Sequence, residues 1–305
     1  MSAIVWQVDT AVWRQEIHVD GIDILLRRRY RVPPGMEGRP DTSLIPSAVS
    51  LAAFVTGREE SGYLNYSLST MTSLASDLWP TPPSSWGGRS VNEVFRGLGV
   101  ALADLHRPTA PHDARPPQVT RFLDYCSMPE STPASRFLAL LGESKVDQLK
   151  HWAESLPQAG VLSHGAWSLG SIFVSPATGS VEVVIGEELV TAHREFDLGW
   201  MLGELCEFEV TARRSGQNWA IYAAAGAALL DGYAEGAARF PNTVHPGALT
   251  IDSGAIARVV AVRVALHQCD FVESWPENMS LAAENAHLVS WLVDQADPFH
   301  ELELT

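Results

Sequence analysis

The stretch Ser163-His-Gly-Ala-Trp-Ser-Leu-Gly-Ser-Ile-Phe-Val174 decides the fold of this 305-residue chain. A histidine followed directly by glycine is typical of a tight loop, because glycine adopts backbone angles that other residues avoid. Gly170 permits a second bend, and the apolar run Ile172–Val174 predicts a short buried strand. Val181–Ile185 predicts a second strand after the turn sequence Pro176-Ala-Thr-Gly179. The segment therefore predicts a loop that leads into a β-hairpin.

The chain upstream of this loop has a strand-like pattern. Glu16–Asp20 and Ile22–Val32 flank the dipeptide Asp20-Gly21, which is a strong short-range signal for a β-hairpin. Apolar and polar residues alternate in the second of these segments, as expected for a half-buried strand. Tyr63–Met71 alternates in the same way and predicts another strand. Between these strands, Pro46–Val55 predicts a short helix, because proline is favoured in the first turn of a helix.

The chain downstream of a turn-rich stretch at residues 79–88 is helical in pattern. Ser90 predicts an N-cap with Glu93 as its capping-box partner, and apolar residues then recur at helical spacing as far as Leu105. We therefore expect an α+β chain with a small β-rich N-terminal lobe at residues 1–72, a linker at 73–89 and a helical C-terminal lobe at 90–305. Further helices are predicted at Arg121–Cys126, Ala134–Leu141, Lys145–Leu156, Glu195–Phe208, Asn218–Phe240, Ser253–Trp275 and Ser280–Ala296.

Composition and charge exclude several classes of function. The chain has 21 basic and 36 acidic side chains and a formal charge of −15, which disfavours binding to nucleic acid or to acidic lipid. Its three cysteines have no metal-binding spacing and do not indicate a secreted disulfide framework. We find no signal peptide, and the longest apolar run, Ala220–Leu230, is too short to span a membrane. We therefore expect a cytoplasmic protein without membrane or nucleic-acid partners.

Three segments together resemble the aminoglycoside phosphotransferase and kinase-like family. That family has His-Gly-Asp, four residues and then Asn where this chain has the loop at 163–174. It has Ile-Asp-Trp-Glu where this chain has Ile185-Gly-Glu-Glu188, and Tyr-Asp-Leu-Ala where this chain has Glu195-Phe-Asp-Leu-Gly199. Leu25–Arg29 and the helix that ends in Leu105-His106 add weaker similarity. The resemblance implies a protein-kinase-like, bilobal fold of the aminoglycoside phosphotransferase type.

The reacting groups of that family are missing. Its chemistry uses one Asp to orient the attacking hydroxyl, an Asn and a second Asp to hold Mg²⁺, and a strand cation to hold the phosphates. The matching positions here are Ala166, Ser171 and Gly186, and the strand cation position falls on Arg27. Residues 1–20 contain no glycine, so they cannot form a glycine-rich phosphate loop. We expect no intact catalytic residue, no metal, no cofactor, and weak or absent binding of Mg²⁺-ATP.

The structural residues of the family are present. His164 matches the loop histidine, and we interpret it as a residue held by hydrogen bonds rather than as a catalytic base. Asp197 matches the buried aspartate that ties the loop backbone to the following helix. A preserved scaffold without its reacting groups indicates a pseudokinase.

Five residues are candidates for contact with a ligand or partner: Arg27, Arg29, Trp167, Glu187 and Glu188. The arginines form either a basic patch for a phosphate or an acidic peptide, or simply the solvent face of a strand. Trp167 either fills the vacated site or contacts a ligand or a partner chain. A strand slip of one residue would bring Glu187 to the metal position, with Glu188 following it. The old active site is predicted to be acidic and to repel a triphosphate, from Glu182, Glu187, Glu188, Glu195, Asp197 and Glu204.

Three hypotheses follow for the function. The first is a catalytically degenerate kinase-fold protein that binds a partner protein or peptide, since relatives of this fold work as accessory proteins in natural-product pathways, including ribosomal-peptide tailoring. The second is a phosphotransferase that acts on a small molecule or a peptide Ser/Thr with a displaced catalytic set. The third is a different enzyme, or a ligand-binding protein, that uses the acidic cleft with Trp167 and Glu187.

Overall fold

The computed structural model describes residues 3–31, 42–46, 52–79, 82–107, 109–110, 115–156, 160–239 and 251–296. None of the helices within these ranges combines the length and the apolarity that a membrane crossing requires. The expected α+β architecture is present, with strands concentrated in the N-terminal part and helices in the rest.

The N-terminal part is built on a five-stranded antiparallel sheet with the order β1-β2-β3-β6-β5. The predicted hairpin at Asp20-Gly21 is present, with Asp20 paired to Asp23 and Gly21 at a positive φ of 64°. Ile22 lies in this turn and is 95% exposed, so the second strand begins one residue later than its apolar pattern indicated. The strands of this part are β1 (Ala3–Asp9), β2 (Trp13–Asp20), β3 (Asp23–Tyr30), β4 (Ala52–Thr56), β5 (Arg58–Glu60) and β6 (Tyr63–Leu68).

The remaining part of the chain is mainly helical and contains the predicted hairpin. Ser90 and Glu93 form the predicted capping box at the start of its first long helix. The helices are α1 (Leu74–Leu78), α2 (Val91–Leu105), α3 (Pro117–Cys126), α4 (Pro133–Leu141), α5 (Glu143–Ser155), α6 (Arg194–Arg214), α7 (Ala220–Ala238), α8 (Ser253–Ser274) and α9 (Met279–Gln295). The strands are β7 (Thr109–Ala110), β8 (Gly160–Ser163), β9 (Ile172–Val174), β10 (Val181–Ile185) and β11 (Val190–Ala192).

The helix predicted at Pro46–Val55 is wrong where the structure describes it. Ala52–Thr56 is strand β4, which pairs in parallel with β10 from Val181 opposite Ala52 to Ile185 opposite Thr56. Residues 47–51 lie outside the described ranges. The error has a physical cause, because the hydrogen bonds that fix β4 come from a strand about 130 residues further along the chain, and local pattern carries no trace of them.

The core of the helical part depends on close approaches between helices. Helix α8 is buried almost all round, as its apolar sequence predicted. Helices α2 and α7 meet at glycine, where a Cβ added to Gly232 would stand 1.9 Å from the Arg96 carbonyl oxygen. A Cβ added to Gly99 would stand 2.1 Å from the Leu229 carbonyl oxygen. The two backbones therefore pack at a distance that only glycine permits.

We predict that Gly232→Ala lowers the free energy of unfolding by about 1–3 kcal/mol, because the added methyl group meets backbone that cannot turn away. Gly254→Ala is the control, since the closest neighbour of its added methyl group is a side-chain oxygen of Asp252 at 3.3 Å and not the backbone of another helix. Urea unfolding followed by tryptophan fluorescence measures both. Equal stability of the two variants would contradict the tight approach of α2 and α7.

Candidate functional site

The loop between β8 and β9 is held at its start by one buried carboxylate. Asp197, in the first turn of α6, accepts hydrogen bonds from the backbone N–H of His164 at 2.7 Å and of Gly165 at 3.0 Å. Its Oδ2 also lies 3.1 Å from Nε2 of His106, whose Nδ1 lies 2.9 Å from the Tyr233 hydroxyl. Asp197 is completely buried. The carboxylate therefore joins the loop to α6 and to the end of α2, as the resemblance implied.

The far end of the loop is held from the same helix. Glu204 accepts a hydrogen bond from the backbone N–H of Leu169 at 2.8 Å. Asp197 and Glu204 are seven residues apart, which is about two helical turns and places both on one face of α6. The loop conformation is thus set by two carboxylates of a single rigid element.

His164 has both ring nitrogens engaged in structural contacts. Its Nε2 donates to the Val184 carbonyl oxygen at 2.8 Å, and its Nδ1 accepts from the backbone N–H of Ala166 at 3.3 Å. The ring is buried, and Trp167 packs against it edge-on at a centroid distance of 5.5 Å. This geometry agrees with a histidine held by hydrogen bonds and offers no free nitrogen for a catalytic base.

Arg28 occupies the position between the two lobes where a phosphate or metal ligand is expected. Its Nη1 lies 3.3 Å from the Glu187 carboxylate and 3.4 Å from the Ser171 hydroxyl. Its Nη2 donates to the Gly170 carbonyl oxygen at 3.0 Å, and its Nε donates to Gln15 at 2.9 Å. The guanidinium is 4% exposed. The Arg28 guanidinium therefore joins β3 to the end of the loop at 163–171 and to Glu187, the residue after Gly186.

The charge of Arg28 is stabilised where it lies. Burial is the largest single effect on its guanidinium and lowers the pKa, but Glu187, Tyr66, Tyr30 and Glu188 together outweigh burial, and the pKa is raised. The guanidinium also lies over the Trp13 ring at 4.9 Å from the centroid. The Tyr30 hydroxyl donates to the same Glu187 oxygen at 3.3 Å. Glu187 is therefore committed to an internal ion pair.

The assignment of Arg27 to the strand cation position is wrong. Leu26 lies in the core, and the alternation of side chains along β3 then places Arg28 on the inner face and Arg27 on the outer face. Arg27 donates to Asn65 at 3.2 Å, and its guanidinium lies over the Tyr63 ring. Arg29 is exposed on the same outer face. The parity of Leu26 was the signal in the sequence that pointed to Arg28.

Trp167 lies in the interior of the protein. It is completely buried and packs between His164 and Phe54 of β4, with centroid distances of 5.5 and 6.2 Å. Of the three alternatives for this residue, the structure favours the one in which it fills interior space. A loop position in the sequence does not show whether a neighbouring strand covers the ring, and here β4 does.

A cleft of about 270 Å³ opens beside Ala166 and Ser171, between the N-terminal sheet and helices α3 and α8. Glu188 lines this cleft and makes no hydrogen bond or ion pair with any residue in the described ranges. Burial is the main cause that raises the pKa of its carboxyl group, Arg121 opposes it, and Glu187 adds to it. Gln118, which sequence reasoning missed, also lines the cleft and is 1% exposed.

The cleft is less acidic than the sequence indicated. Three guanidinium groups line it beside three carboxylates, namely Arg28, Arg121 and Arg263 beside Glu188, Glu204 and Asp270. Each of the three arginines already has a partner, because Arg121 binds Asp270 with two nitrogens and Arg263 pairs with Glu207. The lining of this cleft therefore has as many guanidinium groups as carboxylates, and the expectation that it repels a triphosphate stays a prediction. Cations and anions alike meet side chains that are mostly paired within the protein.

Two other predicted acids serve the scaffold, since Glu182 accepts from Ser69 and Glu195 accepts from the backbone of Asp252. The position of Gly186 has φ of +119°, where residues with a side chain are strained. Within the described ranges, no group of three or more His, Cys, Asp or Glu side chains is placed to hold a metal ion.

We predict that Arg28→Met lowers the free energy of unfolding by about 3–5 kcal/mol, because Glu187 is left buried without its counter-charge. Adding Glu187→Leu to this variant recovers most of the loss. Arg239→Met is the control, since Arg239 pairs with Glu235 and both side chains are exposed, so that its loss costs less than about 1 kcal/mol. An Arg28→Met variant as stable as the unaltered protein would contradict the buried pair.

We also predict that Asp197→Ala lowers the free energy of unfolding by about 1–3 kcal/mol, because the buried N–H groups of His164 and Gly165 lose their acceptor. Asp231→Ala is the control, because Asp231 is exposed and pairs only with the exposed Arg96. We expect it to leave the free energy of unfolding nearly unchanged. Hydrogen exchange of the two amides reports the loop directly, and unchanged protection in Asp197→Ala would contradict the anchoring role.

Comparison with solved structures identifies the fold. The chain is similar to spectinomycin phosphotransferase APH(9)-Ia, solved with ADP and spectinomycin, with 11% identity, a TM-score of 0.51, and coverage of 98% of this chain and 89% of that one. It is similar to the choline kinase LicA from Streptococcus pneumoniae, with 11% identity, a TM-score of 0.55 and coverage of 91% and 89%. It is also similar to aminoglycoside phosphotransferase APH(4)-Ia, with 11% identity, a TM-score of 0.50 and coverage of 99% and 95%.

No family model and no curated protein sequence matches the chain. Its relationship to these kinases is therefore one of three-dimensional structure. The arrangement of sheet, loop, hairpin and helices is common to them over nearly the whole chain. The chain has the bilobal, kinase-like fold of the aminoglycoside phosphotransferases.

Proposed function

We propose that this protein is a pseudokinase, a kinase-fold protein that binds a partner protein or peptide and does not transfer phosphate. The observation that carries the proposal is the Arg28 guanidinium, which contacts Gly170, Ser171 and Glu187 at 3.0–3.4 Å. In kinases the phosphates and Mg²⁺ lie between the small-lobe strands and the catalytic loop. In this protein the guanidinium of Arg28, a residue of the small lobe, lies in that space and contacts the loop.

Three positions of the site do not provide the groups that phosphoryl transfer uses. Ala166 lines the cleft with a methyl group, which accepts no proton. Gly186 provides no carboxylate, and its backbone angle disfavours the aspartate that would restore one. The Ser171 hydroxyl is shared between Arg28 and Ser168. Each of these groups would supply a different part of one transition state, so their joint absence favours loss of the reaction.

The packing between the two lobes supports the same proposal. Phe173 and Val184 of the hairpin share one buried cluster with Ile17, Leu26, Tyr66 and Leu68 of the N-terminal sheet. Strand β4 adds a parallel ladder to β10, so that the N-terminal part is hydrogen-bonded directly to the hairpin. A nucleotide that enters between these surfaces must separate apolar side chains that are already in contact. Binding to a partner requires no such opening.

A second candidate function is favoured by Glu188. Its carboxylate has no partner within the described ranges, its pKa is raised, and it lines the same cleft as Ala166. A carboxyl group with a raised pKa in a cleft is suited to general base catalysis. It would be the displaced base of a phosphotransferase that acts on a small molecule or on a peptide Ser/Thr.

Calorimetric titration with ATP and GTP, each with and without Mg²⁺ or Mn²⁺, tests the proposal. We predict no measurable heat at millimolar nucleotide and no ATP turnover, because Arg28 fills the site and no carboxylate holds the metal. The spectinomycin and choline kinases named above are suitable positive controls for the assay.

Micromolar binding that depends on the metal would contradict the pseudokinase. In that case, loss of turnover in Glu188→Gln with nucleotide binding retained would establish the second candidate function. Loss of binding in Arg28→Met, with the fold intact by circular dichroism, would instead identify Arg28 as a phosphate ligand. A role as an accessory protein in ribosomal-peptide tailoring stays a prediction.

A further inference from the structure

The outer face of the N-terminal sheet, opposite to Leu26 and Arg28, carries four arginines. We call Arg14 of β2, Arg27 and Arg29 of β3, and Arg58 of β5 the arginine face. The backbone register connects them in two rows. In one row Arg58 pairs with Asn65, Asn65 with Arg27 and Arg27 with Glu16, and in the next row Arg29 pairs with Arg14.

The second row contains a like-charge pair. Arg29 and Arg14 are direct cross-strand partners, and like charges at such positions are destabilising. The chain has only 21 basic residues among 305. The pairing of Arg29 with Arg14 does not stabilise the sheet. It therefore indicates that the positive charge of this surface serves to bind another molecule.

Tyr63 holds two of the arginines in place. The guanidinium carbon of Arg27 lies 4.3 Å from the centre of the Tyr63 ring, and that of Arg29 lies 5.8 Å from it. The Nε–H of Arg27 is used by Asn65, whereas the guanidinium of Arg29 makes no hydrogen bond within the described ranges and can meet a carboxylate at its edge. The two contacts with the Tyr63 ring also reduce the side-chain entropy that binding would otherwise cost. The two arginines are thus arranged before a ligand arrives.

The charge of the face is only partly neutralised. Glu16 is its central acid, and it is buried beneath Arg14 at 2.7 Å and His18 at 2.8 Å, with Arg27 at 3.9 Å. Arg29 and Arg58 are exposed and form no ion pair with any residue in the described ranges. The row of Arg29 and Arg14 has an acid at each end, since Asp9 of β1 is opposite Arg14 and Glu60 of β5 is opposite Tyr63. Asp9 is paired with Arg31, and within the described ranges neither acid forms an ion pair with Arg29. Arg29, in the middle of the sheet, therefore keeps its positive charge without a paired acid.

We infer that the arginine face binds an acidic peptide segment in extended conformation, with carboxylates at alternate positions. This inference rests on the proposed function as a partner-binding protein and names the chemistry of the partner. Arg27 and Arg29 are two residues apart on a strand, so their Cα atoms stand about 7 Å apart. Carboxylates at alternate positions of an extended peptide have the same spacing and lie on one side of it.

An acidic peptide fits the face better than a nucleic acid does. A polyanionic backbone of regular high charge would be repelled by the 36 acidic side chains of the chain, and four guanidinium groups release few counterions. A short acidic segment needs only a local surplus of positive charge. An extended peptide also fits the surface of the sheet, because it can lie along the extended strand that carries Arg27 and Arg29.

Fluorescence anisotropy at low salt tests the inference with a labelled, end-blocked peptide of four Glu-Ser repeats. We expect saturable binding that weakens about tenfold or more when Arg27 and Arg29 are both changed to Ala, since two charge-assisted contacts are lost. Arg239→Ala is the matched control, because Arg239 is an exposed arginine directly after the last residue of α7, paired with Glu235, and we expect its loss to leave binding unchanged.

A peptide of four Gln-Ser repeats reports any binding that does not require charge, and we expect none. Arg27→Lys/Arg29→Lys keeps the charge but not the planar stacking on Tyr63, and we expect intermediate affinity. Circular dichroism of each variant verifies the fold, since both side chains lie outside the core. Equal binding by the unaltered protein and the double Ala variant would overturn the inference.

Tighter binding of a single-stranded oligonucleotide than of the Glu-Ser peptide would also overturn it. The nucleotide titration does not involve the arginine face. If neither the peptide nor ATP binds, the inference about the arginine face is wrong and the pseudokinase proposal stands. If the peptide binds and ATP also binds in a metal-dependent way, the pseudokinase proposal is wrong and the inference about the arginine face stands.

Discussion

The loop at 163–171 depends on the buried carboxylate of Asp197. Its two oxygens accept from the N–H groups of His164 and Gly165, and one of them also contacts His106 at the end of α2. Hydrogen bonds from backbone N–H groups to a buried carboxylate are strong and directional. Once it is in place, His164 is oriented towards Val184, and Ala166 and Ser171 face the cleft. The conformation of this loop is therefore set by Asp197 and does not depend on the side chains at 166 and 171.

Strand β3 uses its two faces for two different purposes. Its inner face places Leu26 in the core between the lobes and Arg28 against Glu187 and the loop at 163–171. Its outer face presents Arg27 and Arg29, both over the ring of Tyr63. Because the side-chain period of a strand is two residues, three arginines in sequence necessarily divide between the faces. One guanidinium stabilises the closed site, and the others remain available at the surface.

Much of the fold could be predicted from local signals. The Asp20-Gly21 hairpin, the capping box at Ser90 and the long apolar helix at Ser253 each depend on residues close together in the chain, and all three are present. Strand β4 was predicted as a helix, because its partner strand β10 is distant in sequence. The fate of Trp167 was open for the same reason, since Phe54 of that strand covers it.

The sequence by itself determined which side chains stand at the loop. Alanine at 166 has no side-chain proton acceptor and glycine at 186 has no side-chain cation ligand, whatever structure surrounds them. The tertiary structure alone decided which other side chains lie beside those positions. Which of three adjacent arginines turns inwards depends on which face of β3 is covered, and which carboxylate meets it depends on a turn 159 residues away. The sequence fixes which side chain stands at each position. Whether that side chain is buried, and which partner it meets, depends on residues that only the folded chain brings together.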